Sequence, residues 1–484
     1  MFQENIIVGQ SEVCNSIINA MEDLAGKGKP SILLINGETA LGKTHILKYF
    51  HEAAKDTYSF QSIYFQCEAP IGKINVGNIQ PLQPFIKAID VFKLRKGFSA
   101  KKKFYVKASM SLLSAIPLLG DVIAAVKDIG RDYREFKFDE VGESDSQEST
   151  TLQDFYNALG ALTEDAPAVI FIDDFHFSDP QSIALLNMFA QASPMPLSFV
   201  VSYKKSVAES ISSPLITFIV EHSGAHNVAL TELHPMATQD INKFCKLFFE
   251  HYIPNDIFET WIYNHSFGTP GVIIEYLKYF KKFSPFNPDG TLNPNFGDTD
   301  YLPSSVHSAF SHVLDTLTED EKNLLAVCSA EGREFTALVI SELIRTDLLQ
   351  TIRMLRSVQN KTGIIRSIGA QMRYGSRTTV YEFTQALYFS HFENMLEYEE
   401  KVALHGHIAS MLKQLYDSAE NEAVRRQIAP YLAGHSSESG DDDTAKSMLV
   451  AVAESAKELG SGETVQSIFD EYKSIDRSED ENSA

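Results

Sequence analysis

The sequence has little cysteine and a shortage of basic residues. Only four cysteines occur in 484 residues, and none forms a C-x-x-C pair. They are Cys14, Cys67, Cys245 and Cys328. This spacing indicates neither a zinc site nor a disulfide framework, and it fits core cysteines in a reducing compartment. Lys and Arg total 42 against 64 acidic residues, a net charge of −22, so nucleic acid is not the expected default partner.

The sequence also lacks a secretory leader and a hydrophobic run long enough to span a membrane. Residues 1–5 contain neither a basic region nor an apolar core, which predicts a cytoplasmic protein. The most apolar stretch, 108–120, is shorter than the roughly 20 residues that a spanning helix needs. It follows the basic stretch 93–107. We interpret 91–150 as an insertion packed on its domain, with a membrane-surface element or a docking site for an acidic partner as alternatives.

What the sequence does contain is a phosphate-binding motif, placed directly after the apolar run 31–36. The motif reads Gly37-Glu38-Thr39-Ala40-Leu41-Gly42-Lys43-Thr44, and His45 continues into a segment of helical periodicity. A strand, a glycine-containing loop and a helix N-terminus in this order form an anion nest for phosphates. We expect Lys43 to reach the β- and γ-phosphates from the solvent side, and the Thr44 hydroxyl to ligate Mg²⁺. The predicted cofactors are ATP or ADP with Mg²⁺, bound by residues 37–45.

A second motif, further along the chain, consists of the apolar run 168–172 followed by Asp173 and Asp174. The pattern predicts a buried parallel strand that ends in two carboxylates. Alone, such a pair is more often a solvated strand end. Together with the phosphate loop, it indicates that Asp173 helps hold Mg²⁺ and that Asp174 acts catalytically, with Lys43, by orienting or deprotonating the attacking water.

The segment 173–186 resembles the DDLHWADP.SL.LL signature of STAND-type signal-transduction ATPases, which include MalT-like regulators and ATPases attached to bacterial adenylyl cyclases. It reads DDFHFSDPQSIALL. The segments 8–12 (VGQSE) and 268–271 (GTPG) resemble the family's VGRexE box and GxP motif. The resemblance implies that Gly9 and Pro270 belong to the nucleotide site, the proline against adenine. It extends more weakly to 381–383 and 404–405, where the family has F-x-H and LH landmarks.

Four positions depart from the family pattern. Gln10 stands for an arginine, Ala40 for a glycine, and Gln385 for a histidine. Lys204, followed by Lys205, stands where an arginine usually senses the γ-phosphate, and a lysine lacks the bidentate guanidinium fork. We therefore expect nucleotide binding with slow hydrolysis, and we assign Lys204 to the cofactor site.

Neutral imidazoles near carboxylates can act as acids, bases or metal ligands. We expect His176 to brace Asp173 or Asp179, since it lies between them in the motif. His405 and His407 are two positions apart on a predicted helix and therefore do not face a common ligand. No metal beyond Mg²⁺ is predicted.

The pattern predicts four parts. An α/β P-loop nucleotide-binding domain over 1–235 carries the insertion near 91–150. A small all-α domain with a linker follows at 236–300, then a winged helix at 301–400, with helices at 305–317, 319–328 and 337–344 and a hairpin of 364–368 with 378–383. A short TPR-like helical segment with a disordered acidic tail ends the sequence at 401–484. The winged helix is interpreted as a regulatory clamp on the ATPase, with DNA binding as the alternative.

The resemblance implies a switch that holds ADP when closed and exposes an oligomerisation face after ATP binding or contact with a trigger. We expect a homo-oligomer, a separately encoded effector protein, or both, in bacterial signalling or antiviral defence. Two other functions stay open. One is a DNA-binding transcription regulator that uses the winged helix, and the other is a remodelling AAA-like ATPase with continuous hydrolysis.

Overall fold

The structure, a computed structural model, describes residues 7–72, 74–86, 88, 146–163, 166–191, 195–294, 296, 313–458, 464, 467–469, 471–472 and 475. The predicted insertion lies outside these residues apart from its last few positions, and the acidic tail and most of the helix predicted at 305–317 lie outside them as well. Within the described residues, no helix is both long enough and apolar enough to cross a membrane.

A five-stranded parallel sheet forms the centre of the N-terminal half. Its strands are β1 (Ile32–Asn36), β2 (Gln61–Gln66), β3 (Ala168–Asp173), β4 (Leu197–Tyr203) and β5 (Val228–Glu232). They lie in the order β2-β3-β4-β1-β5, and every neighbouring pair is parallel. The helices beside them are α1 (Ser11–Lys27), α2 (Lys43–Asp56), α3 (Ser146–Leu162), α4 (Pro180–Ala190), α5 (Lys205–Ser210) and α6 (Pro214–Glu221). This is the predicted α/β P-loop NTPase fold.

Strands β3 and β4 are buried at every position, because apolar clusters cover both faces of the sheet. Alternate residues of β3 divide between them: Ile170 belongs to one cluster and Phe171 to the other. Burial on both faces explains why these strands read as continuous apolar runs in the sequence. It also fixes their carboxyl ends at one edge of the sheet, where polar residues follow.

Three helices make up the next part: α7 (Thr238–Phe248), α8 (Asp256–Ser266) and α9 (Pro270–Lys282). Aromatic side chains hold them together, with Phe258 buried at the centre and in contact with Phe280. Helix α8 was not predicted, although Asn255 caps it by accepting hydrogen bonds from the amides of Ile257 and Phe258.

The C-terminal half contains a three-stranded antiparallel sheet among helices. Its elements are α10 (Glu319–Glu331), β6 (Glu334–Thr336), α11 (Ala337–Leu343), α12 (Leu348–Thr362), β7 (Ile365–Arg373), β8 (Ser376–Phe383) and α13 (Ala386–Glu393). The strand order is β6-β8-β7. The hairpin of β7 and β8 was expected from the sequence, whereas β6 and α12 were not.

Three longer helices follow: α14 (Tyr398–Ser418), α15 (Glu422–Glu438) and α16 (Asp442–Glu458). Their apolar cluster includes Ile74, Val76 and Ile79, which follow β2 in the N-terminal half. The C-terminal helices therefore pack directly against the nucleotide-binding part of the chain.

Candidate nucleotide site

Two residues of the phosphate loop have left-handed backbone conformations. Ala40 has φ 65° and Gly42 has φ 97°, both in the left-handed region, and α2 begins at Lys43. For Gly42 the missing side chain makes this conformation inexpensive, whereas Ala40 is strained. Glu38, Thr39 and Ala40 are exposed at the tip of the loop, while Gly37 and Leu41 are buried. His45 is exposed on α2.

Lys43 differs from the solvent-side position expected for it. Its side chain folds back over the loop, with the residue only 9% exposed, and Nζ donates to the carbonyls of Gly37 (2.6 Å) and Glu38 (3.0 Å). Burial lowers the pKa of Lys43, while Asp174 and Asp173 act in the opposite sense. The expectation was wrong because the lysine stem packs within the loop and only its ammonium end faces polar groups.

The structure brings together the two predicted Mg²⁺ ligands. The Thr44 hydroxyl donates to Asp173 Oδ2 at 2.5 Å, although the residues come from different elements. The pKa of Asp173 is raised by burial and by the neighbouring Asp174. It is lowered by hydrogen bonds from Ser202 and Thr44 and by the charge of Arg333, but the raising effects are larger. A hydroxyl and a carboxylate oxygen are the type of ligand that a hard divalent cation such as Mg²⁺ prefers. Within the described residues, no cluster of three or more His, Cys, Asp or Glu forms another metal site.

Both carboxylates are held by residues that the sequence reasoning missed. Tyr64 donates to Asp173 Oδ2 at 3.1 Å, and Gln66 donates to Asp174 Oδ2 at 2.8 Å. The Ser202 hydroxyl donates to Asp173 Oδ1 and accepts from the Asp174 amide at 3.1 Å. The three helpers come from β2 and β4, the two neighbours of β3. Their only sequence signal is a polar residue near the end of an apolar run.

Of the two lysines after β4, the structure places one at the loop. Lys204 Nζ lies 3.2 Å from Glu38 Oε2 and 3.2 Å from the Thr39 hydroxyl. Lys205 instead points its amine toward Glu209, at 3.8 Å. Lys204 is therefore the cation that can reach a bound phosphate from β4, and it already has a carboxylate partner.

The expectation for His176 is corrected. No hydrogen bond joins it to Asp173 or Asp179 in the described part of the chain; its Nδ1 accepts from the Lys204 amide at 3.3 Å. Burial, together with the charge of Lys43, lowers the pKa of His176 to about 4, so the ring is neutral. Asp179 caps α4 by accepting from the Ser182 amide at 2.9 Å, and burial raises its pKa to about 6. Both residues shape the turn after Asp174.

Gly271, the residue after Pro270, contacts the phosphate loop, whereas Gly9 lies beside Met236. Gly9 lines an open cavity of about 380 Å³, together with Ile7, Val8, Gln10, Ser11, Asp240, Lys243 and Leu247. A Cβ at Gly9 would lie 3.2 Å from Met236 Cε, and the Met236 amide donates to the Gly268 carbonyl at 2.7 Å. Pro270 begins α9, where the amide of Gly271 donates to the Ala40 carbonyl at 3.0 Å. Contacts thus run from Gly9 to Met236, from Met236 to Gly268, and from Gly271 to the phosphate loop.

The C-terminal sheet contacts the helix that begins at the phosphate loop. Glu382 of β8 accepts from Lys48 of α2 at 3.0 Å and also pairs with Arg366. Burial alone would raise the pKa of Glu382. The charges of Lys48 and Arg366 have the larger effect, so the pKa of Glu382 is lowered. Gln385, just after β8, donates to Glu275 Oε1 of α9 at 2.7 Å.

A second contact between the two halves centres on Arg373 at the end of β7. Its Nη1 donates to Glu68 at 2.5 Å and to the Tyr431 hydroxyl at 2.8 Å, and Nη2 lies 3.5 Å from Glu334. The residue is 7% exposed. One buried guanidinium therefore joins the segment after β2, the C-terminal sheet and α15.

The predicted separation of His405 and His407 is seen in the structure. His407 Nδ1 is 2.8 Å from the Ala403 carbonyl of its own helix, while His405 Nδ1 is 2.8 Å from Nδ1 of His435. His435 lies on α15 and is buried. Burial lowers the pKa of His405 to about 4, so this contact is between neutral rings.

Comparison with known proteins supports an AAA-like P-loop ATPase domain in the N-terminal part of the chain. Residues 7–201 match the family model described as the AAA ATPase domain. This AAA-like P-loop ATPase segment contains the phosphate loop, both carboxylates and most of the parallel sheet, and it covers less than half of the chain. No curated protein sequence matches the chain.

Solved structures resemble the chain weakly. The ORC1 protein of Aeropyrum pernix, in complex with DNA, has 13% identity and a TM-score of 0.33, covering 80% of this chain and 92% of that one. The ORC2 protein of the same organism, in ADPNP-ADP complexes, has 11% identity and a TM-score of 0.36 over 82% and 96%. The Walker-type ATPase PABY2304 of Pyrococcus abyssi has 12% identity and a TM-score of 0.32, covering 80% of this chain and 95% of that one. These similarities are too weak to transfer ligands or partners.

Proposed function

We propose that the chain is an ATP-binding switch of the STAND type, with slow hydrolysis, in which bound nucleotide controls how the C-terminal half sits on the nucleotide-binding half. The observation that carries the proposal is the Lys48–Glu382 ion pair at 3.0 Å. Lys48 lies one helical turn after Thr44 on α2. Binding or loss of a phosphate group at Thr44 would therefore act on a helix that is in contact with the C-terminal sheet. In one state the C-terminal half is docked on the nucleotide-binding half, and in the other it is released. Nucleotide shifts the equilibrium between these two states only if it binds them with different affinities.

Slow hydrolysis is expected from two features of the loop. Ala40 replaces the glycine that eases close approach of backbone to phosphate, and it lies against Gly271. Lys204 stands where an arginine fork is usual, and Glu38 already pairs with it. The site can bind nucleotide and Mg²⁺ through residues 37–45, Asp173 and Lys204, while Asp174 is the residue proposed to orient water.

The proposal includes the division into a nucleotide-binding domain (1–235), a small helical domain and linker (236–300), a winged helix (301–400) and a TPR-like segment (401–484). The helix, strand, helix, helix and hairpin order of α10 to β8 supports the winged helix. A partner would be a second copy of the chain or a separately encoded effector, and a role in bacterial signalling or antiviral defence follows from the family resemblance alone.

Light scattering tests the switch. The purified chain is measured with ADP, with a non-hydrolysable ATP analogue, and with each nucleotide plus the product of a neighbouring gene. We expect the mass to change with the nucleotide, and turnover to be slow. One monomeric mass under every condition, combined with fast turnover, would contradict the switch and favour the remodelling ATPase.

A DNA-binding regulator is the second candidate, because Arg353 and Arg356 are exposed on α12 of the proposed winged helix. The net charge of −22 opposes it. For the switch, any DNA affinity should be weak and should disappear as salt rises, since a net charge of −22 repels a polyanion. Binding that prefers one DNA sequence and survives physiological salt would reverse the order of the two candidates.

A further inference from the structure

The phosphate loop contains one acidic residue, Glu38, and two donors from the segment after β4 hold its carboxylate. Lys204 Nζ lies 3.2 Å from Oε2, and the Ser206 hydroxyl donates to Oε1 at 3.0 Å. Glu38 and Ser206 are 168 positions apart in the chain. They meet because the sheet places β4 beside β1, the strand that leads into the loop. Both carboxylate oxygens are therefore engaged from outside the loop.

Lys204 is held in a position from which its ammonium group reaches the tip of the loop. Its backbone amide donates to His176 Nδ1 at 3.3 Å, and the amide of Lys205 donates to the side-chain oxygen of Asn36 at 3.1 Å. Asn36 ends β1 and directly precedes the loop. At the tip, Lys204 Nζ also donates to the Thr39 hydroxyl at 3.2 Å. A phosphate bound at the tip would therefore meet an ammonium group that already has a carboxylate partner.

The ion pair between Lys204 and Glu38 is weak enough for a phosphate to replace. The Glu38 side chain is 59% exposed, so water and salt screen the pair. A terminal phosphate carries about two negative charges and three acceptor oxygens, which makes it a stronger partner for an ammonium group than a carboxylate is. The inner phosphates of a nucleotide are bound by the loop itself. Only the terminal phosphate of a triphosphate would need to displace Glu38 from Lys204.

We propose that Glu38 competes with the γ-phosphate of ATP for Lys204 and thereby sets how strongly the site prefers ATP over ADP. The inference rests on the proposed function, and it assigns to Glu38 a role opposite to that of a phosphate ligand. ATP takes the Lys204 ammonium group from the carboxylate and frees the loop tip from the segment after β4. ADP leaves the ion pair intact, because it has no third phosphate to exchange for the carboxylate. The displaced Glu38 then lies near an anion, which lowers the affinity for ATP further.

The test compares the affinities of ATP and ADP in the full-length chain. Fluorescent ADP is displaced by ADP and by a non-hydrolysable ATP analogue, with Mg²⁺ present. We expect Glu38→Gln to strengthen binding of the ATP analogue about three- to fivefold and to change binding of ADP less than about twofold, the effect of removing one exposed ion pair. Glu209→Gln is the matched control and should change neither affinity. Glu209 is exposed to a similar extent, 56%, and lies 3.8 Å from the neighbouring Lys205.

A double variant separates exchange at Lys204 from a general loss of negative charge. Lys204→Met removes the ammonium group and keeps the side-chain stem, and in this background Glu38→Gln should no longer strengthen binding of the ATP analogue. A gain that persists without Lys204 would mean that Glu38 acts only by general repulsion.

Two other results would also overturn the competition. One is an unchanged ratio of ATP to ADP affinity in Glu38→Gln, and the other is weaker binding of the ATP analogue, which would make Glu38 a residue that assists binding. If the unaltered chain binds neither nucleotide, the proposed function itself fails and this inference falls with it.

Discussion

Lys43 is buried along its stem while its ammonium group bonds to two loop carbonyls. In Lys43→Ala those bonds are lost, and with them the positive charge that would meet the β- and γ-phosphates. We expect both ATP and ADP affinity to fall by at least about tenfold, the effect of losing a charge-assisted hydrogen bond. Titration with a fluorescent nucleotide measures the change. Lys205→Ala, a nearby exposed lysine, is the control, and unchanged ATP affinity in Lys43→Ala would show that the site is wrongly assigned.

Asp174 is positioned for a task other than Mg²⁺ binding, because Gln66 holds its carboxylate at 2.8 Å while Asp173 receives the Thr44 hydroxyl. We expect Asp174→Asn to keep nucleotide affinity within about threefold and to lose hydrolysis, since an amide cannot accept a proton from water. Phosphate release and nucleotide binding are measured on the same preparation. Glu209→Gln, on exposed α5, controls for loss of surface charge. Turnover at the rate of the unaltered protein would move the catalytic role to another residue.

At the scale of elements, β3 matters because it is flanked by β2 and β4. Asp173 stands at its carboxyl end and receives donors from both neighbours, Tyr64 and Ser202. A carboxylate that is 0% exposed needs such donors, since burial without hydrogen bonds would cost several kcal/mol. The sheet order therefore decides whether this carboxylate can stay charged for a cation.

Helix α10 ends in a buried carboxylate, Glu331, which makes stability depend on pH. Glu331 accepts from the Thr336 amide at 2.9 Å and the Tyr374 hydroxyl at 3.1 Å, yet burial raises its pKa to about 7. A carboxyl group whose pKa is higher in the folded than in the unfolded chain contributes stability below its unfolded pKa, and the contribution is lost as the pH rises through the folded value. We expect this loss to reach about 2 kcal/mol between pH 5 and 8.

Glu331→Gln isolates this contribution, because the amide is neutral at both pH values. Urea unfolding of the two proteins at pH 5 and pH 8 is compared, and the stability of the unaltered protein relative to Glu331→Gln should fall as the pH rises. A constant difference between the two proteins would mean that Glu331 does not titrate in this range.

At the scale of the whole molecule, Arg373 is the main ionic connection between the two halves, with Glu68 on one side and Glu334 on the other. In Arg373→Met both carboxylates lose their counter-charge, a change that costs about 3–5 kcal/mol in buried pairs. We expect the C-terminal half to loosen, with faster hydrogen exchange of the amides at 68–79 in the nucleotide-free protein. Mass spectrometry measures that exchange.

The double variant Glu68→Gln/Arg373→Met should recover part of the protection, because it removes the uncompensated charge as well. Arg377→Met on β8 replaces an exposed arginine of the same hairpin and is expected to leave exchange unchanged. If exchange at 68–79 in Arg373→Met equals that of the unaltered protein, the ionic connection does not hold the halves together.

Local order in the sequence was enough to predict the phosphate loop, the strand that ends in Asp173 and the α/β fold around them. In each case the pattern lies in a continuous stretch of sequence. An apolar run predicts the strand, glycines predict the loop, and helical spacing of apolar residues predicts the helix that follows. The β7–β8 hairpin was predictable for the same reason. Helices α8 and α12 and strand β6 were missed, the last because three residues carry too short a pattern.

Tertiary structure alone decided which residues complete the site. Ser202 lies beside Asp173 because β4 is the neighbour of β3, and Lys43 is buried because its stem packs within the loop. Glu382 comes from the other half of the chain and pairs with Lys48 of the helix that begins at the phosphate loop. Contacts of this kind join residues far apart in the chain. They depend on strand order and docking, and neither leaves a periodic signal in the sequence.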